Sequence, residues 1–472
     1  MANGKYRYLL KNVGLLTLSN FATKLLSFFL VPLYTSVLTT GEYGTYDLFN
    51  TTVGVLLPIL TLNVQEGVLR FALDKDYDRG ALVTVGVRYI LSSLVIVCLG
   101  LAVLCFTGLF NFGIEYACLF VLMYFTQVVV GFVTYYVRGI ARITDLSVSS
   151  VIASAVTITL NVVFLLPLHM GLIGYFLANI IGPLTQVVYL VVRSHMCGDL
   201  HLLSNYSTQR KEVVAYSKPL IANSIAWWVN NVSDRYIVIF FCGVAANGIY
   251  SVASKIPSVL NIIQSVFSQA WTLSSVKDFD SEDKDGFFSN TYAAYSCLLT
   301  IICSGLIVAD KFLAGFLYAN EFYSAWRYVP WLTIAILFGA LAGYLGGFFT
   351  AVRDSKEFSR STAIGAVVNV FLNIILVPLI GPLGAAIATA VCYAVVWAIR
   401  LMRSRHYIQL KINIRRDLFA YVVLGLQSSA LLFVDNLLLL YLILGPLFLL
   451  ICFLYLCELK TFINKIVSTL RS

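Results

Sequence analysis

Apolar residues run through this chain in blocks of about 20 or more, parted by short polar connections, from Leu9 to Cys457. Rising ~1.5 Å per residue, such a block crosses a hydrocarbon core of ~30 Å as a helix. The pattern predicts fourteen spans, at 12–38, 46–73, 81–109, 115–138, 145–167, 171–192, 214–241, 247–275, 287–309, 328–350, 358–380, 382–402, 418–434 and 437–457. Inside a bilayer the backbone must satisfy itself, which leaves helices or closed barrels; these blocks are too long and too uniformly apolar for barrel strands. The expected fold is an all-α integral membrane protein.

The pattern also repeats. Asn20…Tyr43-Gly44-Thr45-Tyr46 is matched by Asn223…Asn247-Gly248-Ile249-Tyr250, and Gln65 by Gln269, at an offset close to 204. Leu160-Asn161…Pro167…Gly171-Leu172-Ile173-Gly174 is matched by Leu372-Asn373…Pro378…Gly381-Pro382-Leu383-Gly384, at an offset of 210–212. Each repeat holds an even number of spans, so both enter the membrane from the same side and are related by an axis along its normal. This predicts two six-helix lobes with a parallel pseudo-two-fold, residues 1–200 and 201–408. Spans 13 and 14 and a tail follow in 409–472, with Asp435 and Asn436 at the turn between the two spans.

Helical spacing places the polar residues on stripes. Span 1 carries Thr17, Asn20, Lys24, Ser27 and Tyr34. Span 2 carries Asp47, Thr51, Gly54, Thr61 and Gln65, with Glu66 and Arg70 beside them. Span 7 carries Asn223, Trp227, Asn230 and Asp234, flanked by Asn231 and Arg235. Span 8 carries Ser251, Lys255, Ser258, Ser265 and Gln269. Spans 1 and 2 are the repeat counterparts of 7 and 8, so these faces are expected to line one cavity between the lobes. Ser, Thr and Asn also serve simply to pack helices together. Charges are different: one at the bilayer centre costs at least ~2.5–3.5 kcal/mol and needs a partner or water. The candidate substrate-binding set is therefore Lys24, Arg70, Arg235 and Lys255, with Asn20, Asn223, Asn230, Gln65 and Gln269. Glu66 and Asp234 are candidate coupling groups or counter-ions. A structural alternative stays open, in which Asp234 pairs with Arg235, Lys255 or Lys24 to hold helices together and Arg70 snorkels from the end of its span. Trp227 and Trp228 suit packing or stacking on a sugar face.

Charge fixes the orientation. The chain has 472 residues, 60% hydrophobic and 12% charged. Of its 32 Lys and Arg, 26 lie beyond or near one end of the predicted spans, two (Lys311 and Arg327) on the other side, and four (Lys24, Arg70, Arg235 and Lys255) are assigned to the spans themselves. The positive-inside rule makes the rich side, with both termini, cytoplasmic. The net charge of +9 then reads as topology and attraction to anionic headgroups, not as nucleic-acid binding. The first apolar run reads as an uncleaved span. The ten Cys form no CxxC pair and read as apolar fillers. His169, His195, His201 and His406 have no metal-ligand spacing, so no metal is expected. There is no Walker A motif, and the longest outer connection, roughly 310–327, leaves no room for an outer catalytic domain. An enzyme such as a polysaccharide polymerase or ligase is accordingly disfavoured. The acidic run Asp278, Asp280, Glu282, Asp283 and Asp285 reads as a solvated loop.

Two segments carry a family resemblance. One runs from Lys24 through Pro32, Leu38, Tyr43 and Gly44 to Asp47; the other runs from Asn231 through Asp234, Arg235, Gly248 and Tyr250 to Lys255. Both resemble blocks of the polysaccharide transporter family, the lipid-linked oligosaccharide (O-antigen-type) flippases. The wider superfamily includes multidrug exporters and peptidoglycan-precursor flippases. The resemblance implies a polyprenyl-diphosphate oligosaccharide as substrate and alternating access between two lobes; no cofactor is expected, and H+ or Na+ coupling through Glu66 or Asp234 stays open. It implies a bacterial inner membrane, and a polysaccharide polymerase and assembly proteins as neighbours. It also suggests that the prenyl tail lies near spans 13 and 14. The cations suit a diphosphate and the Asn, Gln, Ser and Tyr suit a glycan. A peptidoglycan-precursor flippase and a cation-coupled multidrug exporter remain alternatives, the latter disfavoured by a mostly basic cavity.

Overall fold

The computed structural model describes residues 28–460 except 75, 109–111, 278, 353 and 459. Asn20 and Lys24, with most of the first predicted span, lie outside the described residues. The rest is helical: α1 Val31–Val37, α2 Thr40–Leu60, α3 Val64–Ala72, α4 Arg79–Phe106, α5 Ile114–Gly139, α6 Ile143–Leu165, α7 Gly171–Ser194, α8 Ser207–Ser217, α9 Leu220–Cys242, α10 Val244–Ala253, α11 Ser258–Lys277, α12 Phe287–Leu317, α13 Val329–Ala351, α14 Ser355–Ile380, α15 Pro382–Ser404, α16 Ile414–Phe433 and α17 Leu437–Leu454. Short 3-10 turns cover Met196–Asp199 and Asn320–Arg327.

Among the described residues ten helices, α4–α7 and α12–α17, are long and apolar enough to cross a membrane. The pair α2 and α3, bent by 63°, makes an eleventh if it is one span. The protein is thus a multi-pass membrane protein, with helices close to expected spans 2–6 and 9–14. Spans 7 and 8 resolve into pieces. Pro219, lacking an N–H, separates α8 from α9. Residues 254–257, ending in Pro257, separate α10 from α11.

Local chemistry sets the helix ends. Thr39 and Glu42 form a reciprocal capping box at the start of α2. The Asp78, Asn413 and Asn436 side chains accept backbone N–H groups at the starts of α4, α16 and α17. Pro382 opens α15, where its fixed φ suits the first turn.

The chain forms two compact units, Met1–Val232 and Ser233–Ser472, which divide within α9. In the first unit Tyr34 stacks on Tyr43 at 4.8 Å, and Tyr175 meets Tyr46 at 4.6 Å. Along the α6–α7 seam a Cβ on Gly182 would lie 1.8 Å from Thr157 Oγ1, so only glycine permits that approach. In the second unit, rings from α11, α12 and α13 stack: Phe267 on Tyr295 at 3.8 Å and Trp271 on Tyr344 at 3.9 Å. Residues of α16 and α17, such as Leu424 and Leu444, belong to this same apolar core.

One placement corrects the sequence reading. Arg400, counted among the 26 cations of the rich side although it falls near the end of predicted span 12, lies inside α15 with 5% of its surface exposed. Its Nε donates to Ser361 Oγ at 3.0 Å, Nη1 to the Ala342 carbonyl at 2.8 Å and Nη2 to Thr362 Oγ1 at 3.0 Å. The guanidinium also sits 4.2 Å from the Phe358 ring centre. Its fork finds oxygens on α13 and α14, so burial does not strand its donors.

Candidate functional site

In the first unit the candidates cluster around a broken helix. Leu62 and Asn63 adopt left-handed φ of 51° and 53°, which ends α2 and turns the chain into α3. Non-glycine residues hold such angles only where their surroundings fix them. Here Asn63 is 2% exposed, and its Nδ2 donates to Ser224 Oγ at 3.2 Å. The α8 helix clamps the next turn, with the Gly67 N–H donating to Ser217 Oγ at 3.1 Å.

On α3 the three candidates diverge. Gln65 lies against the bare backbone of α5, where a Cβ on Gly131 would come within 2.6 Å of its Oε1. Glu66 Oε1 accepts from the Tyr135 hydroxyl at 3.3 Å. Arg70, in the last turn of α3, is exposed. On α9, Asn223 is exposed, whereas Asn230 is buried and bonds back to the Ala226 carbonyl at 3.1 Å. Trp228 donates its indole N–H to the Thr51 carbonyl at 3.2 Å, which is a packing role. The Trp227 and Asn231 side chains lie outside the described residues.

The second unit gathers its candidates more tightly. Asp234, 7% exposed on α9, accepts from the Tyr250 hydroxyl at 2.6 Å through Oδ2. Its Oδ1 accepts the Arg235 backbone N–H at 2.9 Å. Thr389 Oγ1 lies 3.5 Å from Oδ2 and gives its proton to the Ala385 carbonyl at 2.9 Å. Asn369 Nδ2 donates to Thr389 Oγ1 at 3.4 Å. Asn373, fully buried, donates to the Asn369 carbonyl at 2.8 Å and has an Oδ1 with no partner. A chain of polar groups thus joins α9, α10, α14 and α15. Arg235 is half-buried beside it. Lys255 is half-buried in the interrupted turn between α10 and α11, where its carbonyl accepts from Ser258 Oγ at 2.5 Å. The Gln269 side chain lies outside the described residues.

Among the described residues no three His, Cys, Asp or Glu side chains group to hold a metal ion. The Asp234 network offers one carboxylate, hydroxyls and amides. That set suits a single positive charge, a proton or Na+, better than a multiply charged metal. Sequence reasoning found Asp234 but missed Tyr250 as its donor, and missed Thr389 and Asn369. The available signal was Asn369 and Asn373 four residues apart in an otherwise apolar span.

A family model described as polysaccharide biosynthesis protein matches residues 9–273. No curated protein matches the sequence. Among solved structures, the chain is similar to the lipid II flippase MurJ in an inward closed conformation. The TM-score is 0.67 at 14% identity, covering 95% of this chain and 99% of that one. A multidrug resistance MATE family transporter in its inward-facing conformation gives 0.63 at 14%, over 89% of this chain and 96% of that one. The outward-facing conformation of such a transporter gives 0.57 at 15%, over 84% and 96%. These likenesses establish the fold.

Proposed function

We propose that this chain, which belongs to the polysaccharide biosynthesis protein family, flips polyprenyl-diphosphate-linked oligosaccharide repeat units from the cytoplasmic to the outer leaflet of a bacterial inner membrane. It does so by alternating access, as a transporter with no catalytic step, to supply surface polysaccharide such as O-antigen, capsule or exopolysaccharide. Both termini are cytoplasmic, and polymerase and assembly proteins take the product.

The observation that carries this reading is a pair of half-buried cations, Arg235 within α9 and Lys255 in the short turn between α10 and α11. Cations so placed suit a diphosphate, which brings its own charge into the membrane. Arg235 and Lys255 of the second unit bind the diphosphate, and Lys24 and Arg70 are the candidate cations of the first. Asn20, Asn223, Asn230, Gln65 and Gln269 contact the glycan. Asp234 exchanges a proton or Na+ with Tyr250 and Thr389 as its setting, and Glu66 is a counter-ion.

The test is to delete the protein, extract the polyprenyl-linked oligosaccharides and compare rescue by wild type and by Arg235→Ala. Build-up of a lipid-linked repeat unit that only wild type clears is the expected result. Full clearance by Arg235→Ala and by Lys255→Ala would sink the cation assignment. A peptidoglycan-precursor flippase is the second reading, favoured by the likeness to a lipid II flippase. It predicts that lipid-linked peptidoglycan precursor accumulates instead.

A further inference from the structure

The first unit carries an apolar groove that the proposed transport does not use. About 600 Å³ in volume, it runs along one face of α7 past Ile181, Leu184, Val188 and Val192 and ends at Arg193. The residues recur at helical spacing, and Val188 and Val192 are 63% and 65% exposed. A neighbouring face of α7 packs on α6, through Gly182 and through Gln186, whose Nε2 donates to Ser150 Oγ at 3.0 Å.

The end of the groove is charged. Arg193 Nε lies 3.4 Å from Asp145 Oδ1, and Arg142 Nε lies 3.6 Å from Asp145 Oδ2. Arg142 also donates to the Arg193 carbonyl. Two guanidiniums therefore share one carboxylate, which leaves one positive charge over. Their side chains are 59% and 39% exposed, so water already screens these pairs and the arginines can turn toward a phosphate at little loss.

Length narrows the occupant. From Ile181 to Arg193 the helix rises ~18 Å, close to the ~15 Å depth of one leaflet's hydrocarbon. That suits an acyl chain of one phospholipid. A polyprenyl chain is several times longer and would overrun the groove.

We infer that this groove binds an anionic phospholipid of the leaflet on the arginine side, its acyl chain along α7 and its phosphate on Arg142 and Arg193. Basic pockets beside apolar helices select such headgroups. The site is separate from the residues assigned to substrate, and so is its test.

The purified full-length protein is examined by native mass spectrometry with phosphatidylglycerol, phosphatidylcholine or undecaprenyl phosphate added. Wild type should hold phosphatidylglycerol under collision energies that strip phosphatidylcholine. Replacing both arginines, Arg142→Gln with Arg193→Gln, should lower that occupancy by about fivefold or more. Val188→Trp, on the exposed face, fills the groove without touching the arginines and should also lower it. That second variant keeps the test decisive if the double variant does not fold. Unchanged occupancy in Val188→Trp, or equal retention of phosphatidylcholine by wild type, would overturn the inference. Displacement of bound phosphatidylglycerol by equimolar undecaprenyl phosphate, lost in Val188→Trp, would also overturn it and give the groove to a polyprenyl tail.

Discussion

The two units keep one polar device and use it differently. Asn161 in α6 and Asn373 in α14 are repeat partners, at an offset of 212. Each donates its Nδ2 to the carbonyl four residues back at 2.8 Å, and each has an Oδ1 with no partner. Around that shared core the units part. Where the second has Asn369 the first has Thr157, and where the second has Cys392 the first has Gly182. Thr157 and Gly182 close the first seam by contact. In the second, Asn369 reaches Thr389 and Thr389 reaches toward Asp234. At the 204 offset the partner of Asp234 is Leu30, which cannot carry a charge. At this seam the first unit thus uses the repeat for packing, and the second uses it to reach a buried carboxylate. A duplicated fold can keep its backbone-bonding residues in both copies of a seam and place a carboxylate beside only one of them.

The sharpest way to break this comparison is Asp234→Asn. It keeps the size and an acceptor for Tyr250 but removes the charge, and should cut rescue of lipid-linked precursor clearance more than tenfold, since ionisable groups within spans are functional by default. Asn161→Ala in the first unit should leave clearance near wild type. Equal loss from both would end the division of roles.

Gly182→Ala should come next. Its Cβ would fall on Thr157, an overpacking that costs about 1–3 kcal/mol. Thermal unfolding in detergent measures this, and clearance by the surviving folded protein should be normal. Tyr250→Phe removes the 2.6 Å donor from a buried carboxylate and should cost about 1–2 kcal/mol, with reduced clearance as well.

The smallest effect lies at the surface of the second unit. The Tyr407 hydroxyl donates to Asp354 Oδ2 at 2.6 Å, and the Glu357 N–H donates to Oδ1 at 3.1 Å. Together, Tyr407 first, they hold the Asp354 carboxyl below its ordinary value. A depressed folded pKa adds stability above the ordinary carboxylate value of about 4 and loses it as pH falls through the folded value. Tyr407→Phe should therefore lower the melting temperature slightly at pH 7, and the gap to wild type should narrow as pH falls from about 4 through the folded value. A gap that does not narrow at all as pH falls through the acid range would show that the contact acts through packing alone.

Much of this was legible in the sequence. Spans 2–6 and 9–14 followed from hydropathy, because a bilayer selects long apolar helices whatever their neighbours. The repeat was legible because Asn161 and Asn373 keep a local back-bond that needs no partner from another helix. Asp234 stood out because a carboxylate in an apolar span is costly. The breaks were not legible as breaks. Leu62 and Asn63 form no glycine or proline signal, and their left-handed turn depends on Ser224, far along the chain. Arg400 was misplaced because hydropathy counts its charge and cannot see Ser361, Ala342 and Thr362 waiting on other helices.

The sequence by itself determined that this is a many-helix membrane protein with a duplicated plan. It also set where charge enters the spans, since all of these rest on local composition and period. Only tertiary structure decided what each charge meets. Hydrogen bonds and ring contacts depend on distances of a few ångströms between helices remote in sequence, so Tyr250 and Thr389 reach Asp234 and Arg142 shares Asp145 with Arg193 only once the helices have packed.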